Sequence, residues 1–73
     1  MTNPYATTTT TTLRGSNGKV IGYVARNPHT CVQIARKVTG QVVGHYDEKR
    51  DLTYRVSGAQ YSFGNMVAAL LVE

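Results

Sequence analysis

The stretch GKVIGYV at residues 18–24 returns as GQVVGHY at residues 40–46. Both read Gly-polar-Val-aliphatic-Gly-aromatic, and a chain that repeats such a phrase is building one structural unit twice. Extended upstream, the units are TTLRGSNGKVIGYV and QIARKVTGQVVGHY, with LTYRVSGAQYSFGN as a weaker third copy. In each, a β-branched or aromatic segment reaches an arginine (Arg14, Arg36 or Arg55), and a short polar turn ends in Gly18, Gly40 or Gly58. An outgoing segment follows, which contains or closes on Gly22, Gly44 or Gly64. Asn17-Gly18 is a strong hairpin signal because both residues tolerate positive φ, and Thr39-Gly40 and Ser57-Gly58 offer the same freedom. A glycine inside a strand weakens it and marks a bulge, a bend or a close approach of other backbone. Asn17, Gly18, Gly22, Gly40, Gly44, Gly58 and Gly64 are thus the structural turns and bends of the units.

Three strand–turn–strand units in succession predict a mainly β fold. It is a small meander or barrel of repeated β-hairpins with a short C-terminal helix, forming one domain over residues 7–73 behind a flexible N-terminus at residues 1–6. Val, Tyr and Thr dominate, with no Trp and one Phe, and these residues suit a pleated, half-buried surface. In the repeat frame the TTTTTT run at 7–12 is the first arm of hairpin one, an ordered strand whose two alike faces specify register poorly. NPHTCVQIARKVTG fits a helix begun at Asn27 and also a strand; the repeat favours the strand. In NMVAALLVE, Asn65 can cap a helix whose apolar face is Met66, Val67, Leu70 and Leu71. So short a helix is marginal alone and must dock on a sheet or on its copy in another subunit. These four residues are the predicted oligomer interface.

Size strengthens the case for self-association. A single core in a chain of this length rarely supplies more than about 3–5 kcal/mol, and nature adds disulfides, metals or partners. Cys31 is the lone cysteine, so no internal disulfide forms. No Cys/His set has metal-site spacing, and no cofactor is expected. A second copy of the chain is the predicted partner, with another protein as a further candidate.

The charge of +4 is uneven. Residues 1–46 hold Arg14, Lys19, Arg26, Arg36 and Lys37 and no acid, whereas Asp47, Glu48, Asp51 and Glu73 all fall later. Arg14, Lys19, Arg36 and Lys37, with Tyr23 and Tyr46, are candidate contacts to nucleic acid or another acidic partner. Tyr5, Tyr23, Tyr46, Tyr54 and Tyr61 serve as well as interface anchors. The N-terminus has no signal-peptide pattern, and MVAALLV is too short to cross a bilayer. An unpaired cysteine suits a reducing compartment, so a cytoplasmic protein without a membrane partner is expected.

Catalytic candidates are few. His29 and Cys31 share a face if extended, as a nucleophile and base would, but no acid stands near to orient them. DEKRD at 47–51 offers three carboxylates interleaved with Lys49 and Arg50, and reads as a solvated turn. QIARKVTG resembles the start of a helix-turn-helix, yet the following QVVGHYDEKR is a poor recognition helix.

The repeated G-x-V-[IV]-G-[YH] phrase resembles small bacterial hairpin-repeat proteins described as fourfold β-flowers, over residues 18–24 and 40–46. The resemblance implies a β architecture with hairpins around a central axis and transfers no functional residue. The sequence thus predicts a non-enzymatic binding or assembly module acting as a homo-oligomer, of a size suited to an accessory or inhibitor protein of a phage or mobile element. A nucleic-acid-binding small β-barrel is the alternative, and a ligand or catalytic site at a subunit interface is the third.

Overall fold

The computed structural model describes residues 9–72; the expectations for residues 1–6, for Tyr5 and for Thr7 and Thr8 lie outside them. The chain is mainly β. Six strands run in sequence order across one antiparallel sheet: β1 (Thr9–Arg14), β2 (Val20–Asn27), β3 (Val32–Lys37), β4 (Val42–Asp47), β5 (Leu52–Arg55) and β6 (Gln60–Phe63). Helix α1 (Val67–Leu71) follows. The sheet is an open meander rather than a barrel, with β1 and β6 at its edges. The ambiguous segment after Asn27 resolves as a loop and strand β3, as the repeat favours.

The three hairpin turns at one end of the sheet are built alike. Gly18 N–H donates to the Gly15 carbonyl, Gly40 N–H to Lys37 and Gly58 N–H to Arg55, at 2.8–2.9 Å. The glycines take φ of +81°, +95° and +93°, where an L side chain is disfavoured. Only the glycine is left-handed: Asn17 instead accepts the Lys19 N–H on its Oδ1 at 3.0 Å. Arg14 and Arg36 each donate to the carbonyl of their own turn glycine, which gives the repeated arginine a local structural role. Each hairpin also slips register once, at Leu13/Arg14, Ala35/Arg36 and Thr53/Tyr54. The third copy is therefore aligned differently from the sequence expectation. Tyr54, not Arg55, occupies the Arg14 and Arg36 place, and Ser62 opposite Thr53 takes the Gly22 and Gly44 place. Gly64 lies beyond β6 with φ +78°, its N–H donating to the Asp51 carbonyl.

Gly22 and Gly44 are not turns. They sit inside β2 and β4 on the side covered by α1. A Cβ at Gly22 would lie 2.4 Å from the Arg36 carbonyl oxygen and 2.7 Å from a Leu71 methyl; at Gly44, 2.2 Å from the Tyr54 oxygen and 2.6 Å from a Leu70 methyl. The repeated inner glycine is the floor on which the helix leucines seat, and close approach is the reason the phrase recurs. The core beneath the helix is Val24, Ala35, Val67 and Leu71, flanked by Leu13, Ile21, Val43 and Tyr46. Helix and sheet are tied by Thr53, fully buried. Its hydroxyl donates to the Gly64 carbonyl at 2.6 Å and accepts the Met66 N–H at 2.9 Å. The N-cap position falls on Met66, which has no side-chain cap, and not on Asn65 as expected; Asn65, one residue earlier, accepts the Val67 N–H on its Oδ1 at 3.4 Å. No described helix is long and apolar enough to cross a membrane.

Candidate functional site

The face opposite α1 carries the chemistry available to a partner. Side chains alternate across a strand, so cross-strand partners define three rows on this side. The first is Thr12, Tyr23, Arg36 and Val42; the second is Thr10, Ala25, Ile34, His45 and Tyr54; the third is Asn27, Val32, Asp47, Leu52 and Phe63. Antiparallel sheets with one solvated face normally turn polar residues outward. Here Val32, Ile34, Val42, Leu52 and Phe63 face out, and Phe63 is 78% exposed. Val32, Ile34, Arg36, Val42, His45 and Val56 line a shallow depression of about 310 Å³.

Polar groups frame this surface. The His45 and Tyr54 rings stack with centroids 5.0 Å apart and planes at 20°. The Tyr54 hydroxyl and then Asp47, both near the Arg50 guanidinium, raise it above the usual arginine range. The Asp47 carboxylate accepts the Lys49 and Arg50 N–H groups and lies 3.8 Å from the Arg50 guanidinium. On the other side of the sheet, in the row of Gly44, Arg55 lies over the Tyr61 ring, 4.8 Å from its centroid.

The sequence-predicted residues separate into three groups. Arg14, Tyr23 and Arg36 share the open face, with Tyr23 and Arg36 directly paired across β2 and β3. Lys19 follows the first turn. Lys37 pairs with Gly22 on the opposite side of the sheet. Tyr46 also faces the helix side, beside the core, where its hydroxyl donates to Asp51 at 2.6 Å and is held above the ordinary tyrosine range by that bond. The helix face expected to meet another subunit is turned inward instead. Val67, Leu70 and Leu71 are buried against the chain's own sheet, and Met66 is the exposed member. The physical reason is the pair of glycine floors, which let α1 pack closely enough to bury its leucines within one chain.

His29 and Cys31 lie in the loop joining β2 and β3. His29 is exposed, while the Cys31 sulfur lies 4.0 Å from the Arg26 guanidinium and 3.9 Å from the Pro28 carbonyl. Cys31 and Asp51 close equivalent loops with φ of +58° and +55°. Among the described residues no group of three His, Cys, Asp or Glu side chains is placed to hold a metal.

One network was missed by sequence reasoning. Arg26 makes two hydrogen bonds to Glu48, at 2.6 and 2.9 Å, and Gln33 donates to the same carboxylate at 2.9 Å. Asn65 in turn donates to Gln33 at 3.2 Å, linking this network to the start of the helix. The Arg26 bonds, then that from Gln33, pull the Glu48 carboxyl from 4.5 down to about 2. The available signal was spacing: Arg26 and Glu48 are 22 residues apart, the separation of the repeated phrases. No protein-family pattern, curated protein or solved structure matches this chain.

Proposed function

We propose that this protein is a non-enzymatic binding and assembly module that works as a homo-oligomer, with the uncovered sheet face packed against the same face of a second copy. One observation supports this reading most: Val32, Ile34, Val42, Leu52 and Phe63 project from the face that α1 leaves open. Face-to-face sheets pack about 10 Å apart through interdigitating side chains, and rows of aliphatic and aromatic residues suit that spacing. The buried core of the single chain is small, and a second layer supplies what it lacks. A two-fold contact uses the same patch on both copies, and Arg36 and Arg50 then fall toward a polar rim, as interface charges do.

The test is native mass spectrometry with a face variant. The wild-type chain should be an even-numbered oligomer without added mass. Ile34→Lys should halve the oligomer's mass by breaking the face contact, while its circular dichroism spectrum stays unchanged. A monomeric wild type, or an Ile34→Lys variant of unchanged mass, defeats the reading.

A second reading rests on the Tyr23–Arg36 pair with Arg14 in line. Aromatic rings beside arginines on an open sheet can stack on single-stranded bases. An oligonucleotide titration across a salt series tests it. Two phosphate contacts from Arg14 and Arg36 give a slope of about −1.4 in log affinity against log salt, and Arg36→Ala should halve that slope.

A further inference from the structure

Strand β1 presents a second contact, independent of the open face. We propose that its free edge pairs antiparallel with β1 of a second copy, joining two six-stranded sheets into one. Among the described residues β1 hydrogen-bonds only to β2. Thr9–Thr12 are exposed, and the β1–β2 register runs unbroken from Thr9↔Arg26 to Leu13↔Gly22. Proteins guard such edges with charges, proline, bulges or short length. Thr9 to Leu13 contains no charge and no proline, and the bulge comes only at its end, between Leu13 and Arg14. The opposite edge is guarded: β6 has four residues, its partner strand slips register beside it, and Gly64 turns the chain away at its end.

The occupant follows from charge and symmetry. Antiparallel pairing of identical strands requires a two-fold axis normal to the sheet, which keeps both helices on one side. Opposed residues must then point to the same face, so the axis passes through a residue and not between two. Centred on Thr11, the described part of β1 before Arg14 maps onto itself: Thr11 meets Thr11, Thr10 meets Thr12, and Thr9 meets Leu13. Cross-strand threonine pairs are favourable, and Arg14 lies at opposite ends of the two strands, so like charges do not meet. The joined sheet presents both open faces on one side, doubling the surface assigned above.

Cysteine cross-linking tests the contact in the full chain with Cys31→Ser. Directly opposed antiparallel residues lie about 4.5–5.5 Å apart at Cα, within disulfide reach, whereas pairs beyond about 7 Å cannot bridge. Thr11→Cys should form a disulfide-linked dimer under mild oxidation at least about tenfold faster than Val38→Cys, an exposed turn control. Thr10→Cys alone should not, but should cross-link to a Thr12→Cys chain. The Thr11→Cys bridge should persist with Ile34→Lys added, which separates this contact from the face contact. Equal rates at Thr11 and Val38, or a fast bridge by Thr10→Cys alone, overturn the proposal. Hydrogen exchange on the unaltered chain gives a second reading: amides of Thr9–Leu13 should gain protection with rising protein concentration, and protection independent of concentration also overturns it.

Discussion

Two neighbouring rows on the same strands run in opposite directions of size. Beneath the helix, Val24, Ala35 and Gly44 shrink from β2 to β4. On the other side, Ala25, Ile34, His45 and Tyr54 grow from β2 to β5. The shrinking row is a ramp that lets α1 descend until Leu70 touches the Gly44 backbone. The growing row has no helix above it, and its residues stay half-buried. Small residues thus mark the face filled within the chain, and large ones the face that α1 leaves open.

The strongest way to break this contrast is to add bulk to the ramp. Gly44→Val places a side chain where even a Cβ meets the Tyr54 carbonyl at 2.2 Å. Overpacking of this kind costs about 3 kcal/mol or more, much of the stability of so small a domain, and a urea titration should show most of the molecules unfolded. Adding Leu70→Ala should not rescue it, because the backbone clash remains. If the double variant refolds, the leucine rather than the strand sets the need for glycine. Leu70→Ala alone should cost about 2–4 kcal/mol with loss of helical signal. A Leu70→Asp chain that stays folded would show that α1 does not hold the sheet.

Thr53 sharpens the comparison with a smaller effect. Thr53→Val keeps the shape but leaves the Gly64 carbonyl and the Met66 N–H unpaired, at a cost of about 1–3 kcal/mol. The loss should appear as faster amide exchange at the start of α1, with β1 and β2 unchanged. An unaltered exchange pattern would remove Thr53 from the helix-docking role.

The repeated phrase made the hairpins legible, because turn glycines and β-branched arms are local signals. The C-terminal helix was legible for the same reason, although it begins one residue later than Asn65 as cap implied, which leaves Met66 outside its apolar face. Which way that face turned was not: Val67, Leu70 and Leu71 read alike whether they meet their own sheet or a second copy. Only the 22-residue spacing of Gly22 and Gly44 hinted at two seats for two leucines. The third hairpin misled because Arg55 and Gly64 match the repeat in composition, whereas the bulge aligns Tyr54 and Ser62 with it. The open face was invisible as a unit, since its rows join residues from every strand.

The smallest predicted effect concerns the margin of the covered face. Glu48 is half-buried between Arg26 and Gln33, and these bonds hold its carboxyl at about 2 instead of 4.5. A carboxylate whose pKa is lower folded than unfolded contributes stability that is complete above the unfolded value. That contribution fades as pH falls from about 4.5 toward about 2. Glu48→Gln removes the titration, so the difference in melting temperature between wild type and variant should be greatest near neutral pH and close as pH falls through that window. Arg26 is substantially solvated and exposed pairs are weak, so the effect should be smaller than that of Thr53→Val and should shrink with added salt. A difference that stays constant from pH 7 to pH 2 would mean that Glu48 acts through packing, and that the ion pair beside the helix contributes nothing to holding the covered face closed.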